Sequence, residues 1–400
     1  MNVDVQDHDA ILGVRPRAAY APASIQDCAD VMAETARSQL TLGFIGGGTA
    51  LELGAPPRAL DAVVRTERLA RILEYAPADM VIVAEAGVTL AALQACVGAH
   101  GQRLALDAPW PERATVGGVV ATGAAGPLRA RYGAVRDLII GVTLVRADGE
   151  VARGGGKVVK NVAGFDLPKV ACGSLGTLGL IAAAAFRLHP LPEVVTTVMA
   201  AGLGAEAVVA LVAATRSAQL EPASVVALST AGRFDVGVRF EGFDRGVQHQ
   251  VARMIEIAAA TKVPAEALSD AAAAGFWRRH DAVRTAAGLR VRIASLPTRL
   301  PEVAARVAPL GELAWYATLG TGFARGAVGD PAALAAAVTA ARAPLVAEGG
   351  SLVVEAAPAE LRAAVEVWGP PPGSFPIMQR LKQRFDPAGR CNPGRFVGGL

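Results

Sequence analysis

The stretch CGSLGTLGLIAAAAF, residues 172–186, sets Gly173, Gly176 and Gly179 three apart at the head of an apolar run. Glycine inside a helix or strand costs about 0.5–1 kcal/mol relative to alanine. The spacing therefore predicts a backbone that must pass close to something. The uncharged run from Val170 to Phe186 is shorter than the roughly 20 residues a membrane span needs, so it reads as core.

Three further glycine clusters precede it: GFIGGGTALELG at 43–54, TVGGVVATG at 115–123 and GGGKVVKNVAGFD at 154–166. Consecutive glycines leave backbone N–H groups uncovered, and such groups hold phosphate oxygens well. One glycine cluster alone usually marks a turn. Four within one region favour converging loops around one large phosphorylated ligand. Two familiar phosphate signatures fail. The dinucleotide pattern G-x-G-x-x-G, read from Gly46 and Gly48, requires glycine where Leu51 stands. A P-loop ending at Gly156-Lys157 requires glycine and Ser/Thr where Val151 and Val158 stand.

Outward from these clusters, the first half alternates helices and strands. Ser24 to Gln39 reads as a helix, with Ser24 and Asp27 resembling a capping box. Strands are predicted at Leu42–Ile45, Leu60–Val64 and Val81–Ala84. A helix is predicted at Thr89–His100, capped by Thr89 and stopped by Gly101. Leu138–Val145 followed by Asp148-Gly149 has hairpin character. At LHPLPE, residues 188–193, prolines mark an exit from the first domain. Beyond it, helical stretches (205–218, 247–260, 331–347) alternate with strand-like runs (224–228, 236–240, 289–294, 315–319, 351–355), an α+β pattern. Trp368–Gly373 reads as a linker, followed by a short helix at Met378–Phe385 and the tail DPAGRCNPGRF. The domains predicted are 1–192, 193–367 and a C-terminal segment, 368–400.

Composition limits the function. The 400 residues carry 39 basic and 36 acidic side chains, net +3, so no nucleic-acid surface is implied. With 52% hydrophobic residues, a large interior can form. Cys28, Cys96, Cys172 and Cys391 are scattered without a CxxC, so they supply no zinc or iron–sulfur ligand set and read as buried reduced thiols. The polar, acidic N-terminus MNVDVQDHDAILG does not read as a secretory signal. A cytoplasmic protein is expected, with peripheral association to the inner membrane through a complex left open.

Taken together, GGGTALELG, APWPERATVGGVVATGAAG, RYGAVRDLIIGV, KVVKNVAGFDLPK and GSLGTLGLI, in that order over residues 20–190, resemble the FAD-binding domain of the vanillyl-alcohol oxidase/PCMH flavoprotein family. The tail FDPAGRCNPGRF is similar to the family's C-terminal segment. Within the family, the chain looks like the FAD-binding E subunits of bacterial three-subunit glycolate oxidases. The resemblance implies an α+β fold: a PCMH-type FAD-binding domain of two α/β subdomains plus a smaller α+β cap domain, with the tail returning to the flavin domain. It implies FAD as cofactor. Gly46, Gly47, Gly48 and Thr49 would donate to its phosphates. Thr115, Gly117, Gly118 and Thr122 would line the diphosphate and ribityl region. Gly173, Thr177, Gly179 and Ile181 would pass the adenosine or isoalloxazine, and Asn392 would sit near the flavin ring. Family members with covalent flavin often carry histidine at the end of the first glycine loop. Thr49 stands there, which implies non-covalent FAD. The implied partners are a paralogous FAD-binding catalytic subunit and an iron–sulfur subunit, with a small 2-hydroxy acid as substrate.

Catalytic residues are harder to read. Oxidising a 2-hydroxy acid needs a base for the hydroxyl proton. Of five histidines none lies beyond His280, and the glycine-containing strand expected at Trp315–Arg325 has none. His280 is the one candidate near the middle of the second domain, and reads better as an ordinary, partly buried histidine. Arg278, Arg290, Arg292 and Arg325 are candidates to pair a carboxylate, with a structural role the commoner outcome. Arg129 and Arg131 read equally well as cofactor-facing or surface residues. Lys157 and Lys160 are candidate phosphate partners, Lys157 reading better as a solvated loop charge. Asp166 and Lys169 form a candidate local ion pair, and Asp137 reads as a capping acid. The implied function is an electron-relaying flavin subunit. Its rivals are a self-sufficient FAD-dependent glycolate or D-lactate dehydrogenase and a scaffold whose flavin is structural.

Overall fold

A computed structural model describes residues 1–156, 165–327 and 329–400. The chain divides into two compact units. The first comprises Met1–Gly126, Gly133–Pro190 and Pro370–Leu400, the second Pro127–Tyr132 and Leu191–Gly369. The short segment 127–132, which the sequence reading left in the first domain, belongs to the second. Its Arg131 donates to the Glu221 carbonyl at 2.6 Å, and the Tyr132 hydroxyl donates to Glu241 Oε2 at 3.0 Å.

The first unit holds two α/β layers. In one, strands Ala18–Tyr20 and Leu42–Ile45 flank Ala62–Arg65, both parallel to it, and Asn2–Val3 adds an antiparallel edge. Parallel neighbours need a crossover, and helix Ile25–Arg37 supplies it. Ser24 caps that helix by accepting from the Asp27 amide at 3.0 Å, and the Asp27 carboxylate accepts from the Ala23 amide at 2.9 Å. Its apolar side buries Cys28, Val31 and Met32.

The other layer is a five-stranded antiparallel sheet in the order Ile72–Ala76, Val81–Glu85, Leu180–Arg187, Ile139–Val145, Val151–Gly155. The alanine run of the opening stretch is its central strand. Leu180 through Phe186 are all buried, so both faces are covered and apolar alternation vanishes. Alanines let helix Val116–Thr122 approach this strand.

The second unit is an eight-stranded antiparallel sheet with helices. Helix Asp270–Thr285 lays Phe276, Trp277 and Val283 against Val226, Leu228, Ala314, Tyr316 and Phe323. Trp315–Arg325 is not one strand. It is a hairpin of Glu312–Tyr316 and Thr321–Gly326. Helix Asp270–Thr285 and strand Val194–Leu203 were not anticipated. Among the described residues, no helix is long and apolar enough to cross a membrane.

Candidate functional site

The site lies in the first unit, where strand Leu42–Ile45 ends in Gly46-Gly47-Gly48-Thr49. This loop stands between two cavities. The larger, about 810 Å³, is lined by Gly46–Gly48, Thr115, Val88, Thr89, His8, Glu67 and Arg113, among others. The smaller, about 80 Å³, is lined by Gly46–Leu51, Thr115, Gly118, Thr122, Leu175, Gly176, Asn392 and Arg395, with Phe44 and Ala121. The larger volume falls in the range of small-molecule sites.

The loop is shaped by what presses on it. A Cβ on Gly46 would strike Thr115 Oγ1, and one on Gly47 would strike the Arg113 carbonyl oxygen. Gly48 has φ +71°, in the left-handed region that favours glycine. Among the described residues, the amides of Gly47, Gly48, Thr49 and Ala50 donate to no protein acceptor. Adjacent free N–H groups on a tight loop form an anion-binding concavity. Thr115 opens helix Val116–Thr122, its Oγ1 accepting from the Gly118 amide at 3.4 Å.

The C-terminal tail completes the wall through buried charge. Lys382 Nζ donates to Thr177 O (2.8 Å), Asp386 Oδ2 (2.6 Å) and Cys391 O (2.9 Å), which uses all three of its protons. Asp386 also accepts from the amides of Arg390 and Cys391. Arg390 donates to Leu40 O, Ala147 O and Thr35 Oγ1. Arg395 donates to the carbonyls of Leu51 and Leu53, just past the glycine loop. Between them Asn392, at φ +45°, donates Nδ2 to Leu175 O at 2.8 Å. Its Oδ1 is buried without a hydrogen-bond partner among the described residues. A buried acceptor left open is costly and suits a donor on a ligand.

The sequence-predicted residues separate into two sets. Gly46, Gly47, Gly48, Thr49, Thr115, Gly118, Thr122 and Asn392 line the cavities. Gly117, Gly173, Thr177, Gly179 and Ile181 do not. Gly117 packs on Ala86, Thr177 and Ile181 are buried, and Gly179 at φ +142° lies where a Cβ would be 2.6 Å from Val145 O. Gly173 lines a separate cavity beside Cys172, Met378 and Leu400. From the same turn, Leu175 and Gly176 reach the smaller cavity instead. The amides of Gly173 and Leu175 cap the end of helix Val116–Thr122, donating to Val120 O and Ala121 O at 2.9 and 2.7 Å. Sequence reasoning missed Arg113, Arg395, His8 and Glu67. Arg113 and Arg395 were visible only as charges inside otherwise small or apolar blocks.

Other candidates find structural partners. His280 is fully enclosed, its Nε2 3.0 Å from the Tyr316 hydroxyl and its Nδ1 2.9 Å from Asp281 Oδ1, so it is more than partly buried and both nitrogens are engaged. Arg290 and Arg292 lie 3.6 and 3.5 Å from Glu355, and Arg325 pairs with Glu312 at 2.6 Å. Arg278 is exposed. Arg129 sits on the short helix Arg129–Tyr132 of the second unit and is not among the residues lining these cavities. Asp137 accepts from the Ala134 amide at 2.9 Å, and Asp166 pairs with Lys169. Lys157 and Lys160 lie outside the described residues. All four cysteines are free thiols. Burial pushes the Cys28 thiol up to about 12, and that of Cys172 up to about 11. Among the described residues, no group of three or more His, Cys, Asp or Glu side chains is placed to hold a metal.

The fold and this cradle define a flavin-binding protein. Residues 16–155 match the family model described as an FAD binding domain. That match covers about a third of the chain and, but for residues 127–132, lies within the first unit. It is similar to the glycolate oxidase subunit GlcE of Escherichia coli, 38% identical over 149 residues, which are 37% of this chain and 42% of that one. It is also similar to the D-lactate dehydrogenase of Archaeoglobus fulgidus, 35% identical over 182 residues, 44% of this chain and 41% of that one. These alignments thus span less than half of either relative. Among solved structures, p-cresol methylhydroxylase shares the fold with a TM-score of 0.75 at 15% identity, over 95% of this chain and 88% of the other. Alkyldihydroxyacetonephosphate synthase does so with a TM-score of 0.72 at 17% identity, over 96% and 78%. The residues present fit FAD: free loop amides for a diphosphate, an open Asn392 acceptor and a cavity of the required scale.

Proposed function

We propose that this chain is the FAD-binding subunit of a glycolate oxidase-like complex oxidising glycolate to glyoxylate. In this reading it relays electrons from a paralogous flavin subunit to an iron–sulfur subunit. The observation that carries the flavin assignment is the set of unpaired amides at Gly47–Ala50 facing a cavity across from Asn392. The complex is suggested by the likeness to a glycolate oxidase subunit of Escherichia coli.

When bound, FAD accepts two electrons and releases them singly, which suits a link between alcohol oxidation and one-electron centres. The chain's own residues supply binding. Gly47, Gly48 and Thr49 would hold the diphosphate through main-chain N–H groups, Thr115 and Gly118 would form the adjoining wall, and Asn392 Oδ1 would accept a hydrogen bond from the cofactor. With Thr49 at the loop's end, attachment is non-covalent. The second unit offers no comparable machinery for the substrate proton at its histidines. His280 is engaged at both nitrogens and His249 lies exposed on helix Asp244–Ala260. This supports a reading in which substrate oxidation falls to the paralogous subunit. Attachment to a membrane, where it occurs, would be peripheral and through the complex.

Co-purification from native extract with a visible spectrum tests this. Flavin absorption with a second flavin subunit and an iron–sulfur subunit co-eluting is expected, and a colourless chain without partners would overturn it. The likeness to a D-lactate dehydrogenase favours one rival, a self-sufficient 2-hydroxy-acid dehydrogenase. Dye reduction by the isolated chain with glycolate or D-lactate would establish that rival. A flavin that substrate cannot reduce inside the complex would indicate a scaffold instead.

A further inference from the structure

We propose that Arg113 is the cationic clamp on the cofactor diphosphate, closing the glycine cradle from the side opposite Asn392's acceptor. The inference rests on the reading of this cleft as an FAD site and adds to it a residue and an electrostatic role.

A diphosphate brings two negative charges, and loop amides carry only partial ones. Two arginines line the cavities. Arg395 is committed: it is 3% exposed and its Nη2 is held by Leu51 O and Leu53 O. Arg113 is exposed, and its one hydrogen bond is long, Nη2 to Gly47 O at 3.3 Å. Among the described residues its other guanidinium N–H groups have no acceptor, and it faces no carboxylate within ion-pair distance. The backbone of the same residue is the wall against which Gly47 packs. Its Cα is thereby fixed against the loop, with the amide of Arg113 donating to Trp110 O at 2.9 Å. A planar guanidinium with free donors anchored at the edge of a nest of bare amides suits bidentate recognition of phosphate. The other ionisable side chains on the larger cavity are His8 and Glu67, and Arg65 Nη1 lies 3.7 Å from the Glu67 carboxylate.

The test uses the full chain stripped of flavin and refilled. Dissociation constants for FAD, ADP and riboflavin are measured by flavin fluorescence, with ADP as competitor, over a salt series. Arg113→Ala should weaken both FAD and ADP about tenfold at low salt, leave riboflavin unchanged, and show a flatter salt dependence than the wild type. Arg113→Lys should recover part of the loss. Arg113→Gln keeps length without charge and should behave like the alanine variant, which separates charge from packing. Equal affinity of wild type and Arg113→Gln for ADP, with the same salt dependence, would overturn the proposal. If the wild type itself binds neither FAD nor ADP, the flavin reading fails first and the clamp falls with it.

Discussion

Two glycine segments of the first unit look alike in sequence and do opposite work. In the loop at 46–49, glycines leave main-chain donors bare toward a cavity. In the turn at 173–179, they let the chain meet itself. Gly173, Leu175 and Gly176 all have positive φ (76°, 52° and 69°), and a Cβ on Gly176 would lie 2.7 Å from Asn392 Nδ2. Glycine density therefore reports that something approaches closely, and says nothing of whether it is a ligand or the protein's own backbone.

The largest test of this contrast is Lys382→Met. It removes the ammonium that joins the turn to the tail and leaves Asp386, 1% exposed, without its cation. Breaking a buried pair in this way costs about 3–5 kcal/mol. A urea midpoint that falls accordingly, together with loss of bound flavin, is expected. An unchanged midpoint would mean the tail does not hold the turn.

Gly47→Ala comes next, at roughly 1–3 kcal/mol for overpacking. The added methyl meets the Arg113 carbonyl, so both the melting temperature and the flavin stoichiometry should fall. The obstruction is the protein's own backbone. Retention of stoichiometric flavin would show that the loop is packed otherwise.

A paired measurement sharpens the comparison. Gly176→Ala and Gly173→Ala both force alanine to positive φ, at roughly 1–2 kcal/mol. Only the first also displaces Asn392, since nothing lies within 4 Å of a Cβ on Gly173. Gly176→Ala should weaken FAD binding and Gly173→Ala should not, as read by fluorescence titration. Equal affinities would detach Asn392 from the cofactor.

The smallest effect concerns pH. Burial raises the Asp9 carboxyl, but hydrogen bonds from Arg65 and the Gln6 amide outweigh it and hold the group below its ordinary 3.8. A carboxyl lowered on folding contributes stability above its unfolded value and loses it as pH falls through the folded one. Asp9 adjoins His8 and Ala10, which line the larger cavity. Urea midpoints of the wild type should therefore drop below about pH 4 more steeply than those of Asp9→Asn. Parallel curves would remove Asp9 from the acid limb.

Much of the first unit was legible because its signals are local. Ser24 and Thr89 cap their helices where polar residues precede apolar periodicity. The hairpin at Asp148-Gly149 follows from turn chemistry, with Gly149 at φ +90°. Helix Asp270–Thr285 was missed although Phe276, His280 and Val283 recur at helical spacing and Ser269 caps it. The hairpin within Glu312–Gly326 was missed because an apolar run at 315–319 continues past the strand's end.

The sequence by itself determined that bare glycine loops gather around a phosphorylated ligand and that the scattered thiols form no iron–sulfur set, which follow from residue identity and spacing; FAD came from the resemblance to a flavoprotein family. Only the tertiary structure decided which glycines face the cavity, that Asn392 keeps an open acceptor there, and that Arg113, bonded to Gly47 O, keeps its other guanidinium donors without an acceptor among the described residues. Those facts depend on contacts between residues such as Lys382 and Thr177, far apart in the chain. Such contacts leave no local pattern, because their free energy arises only when distant segments are buried together.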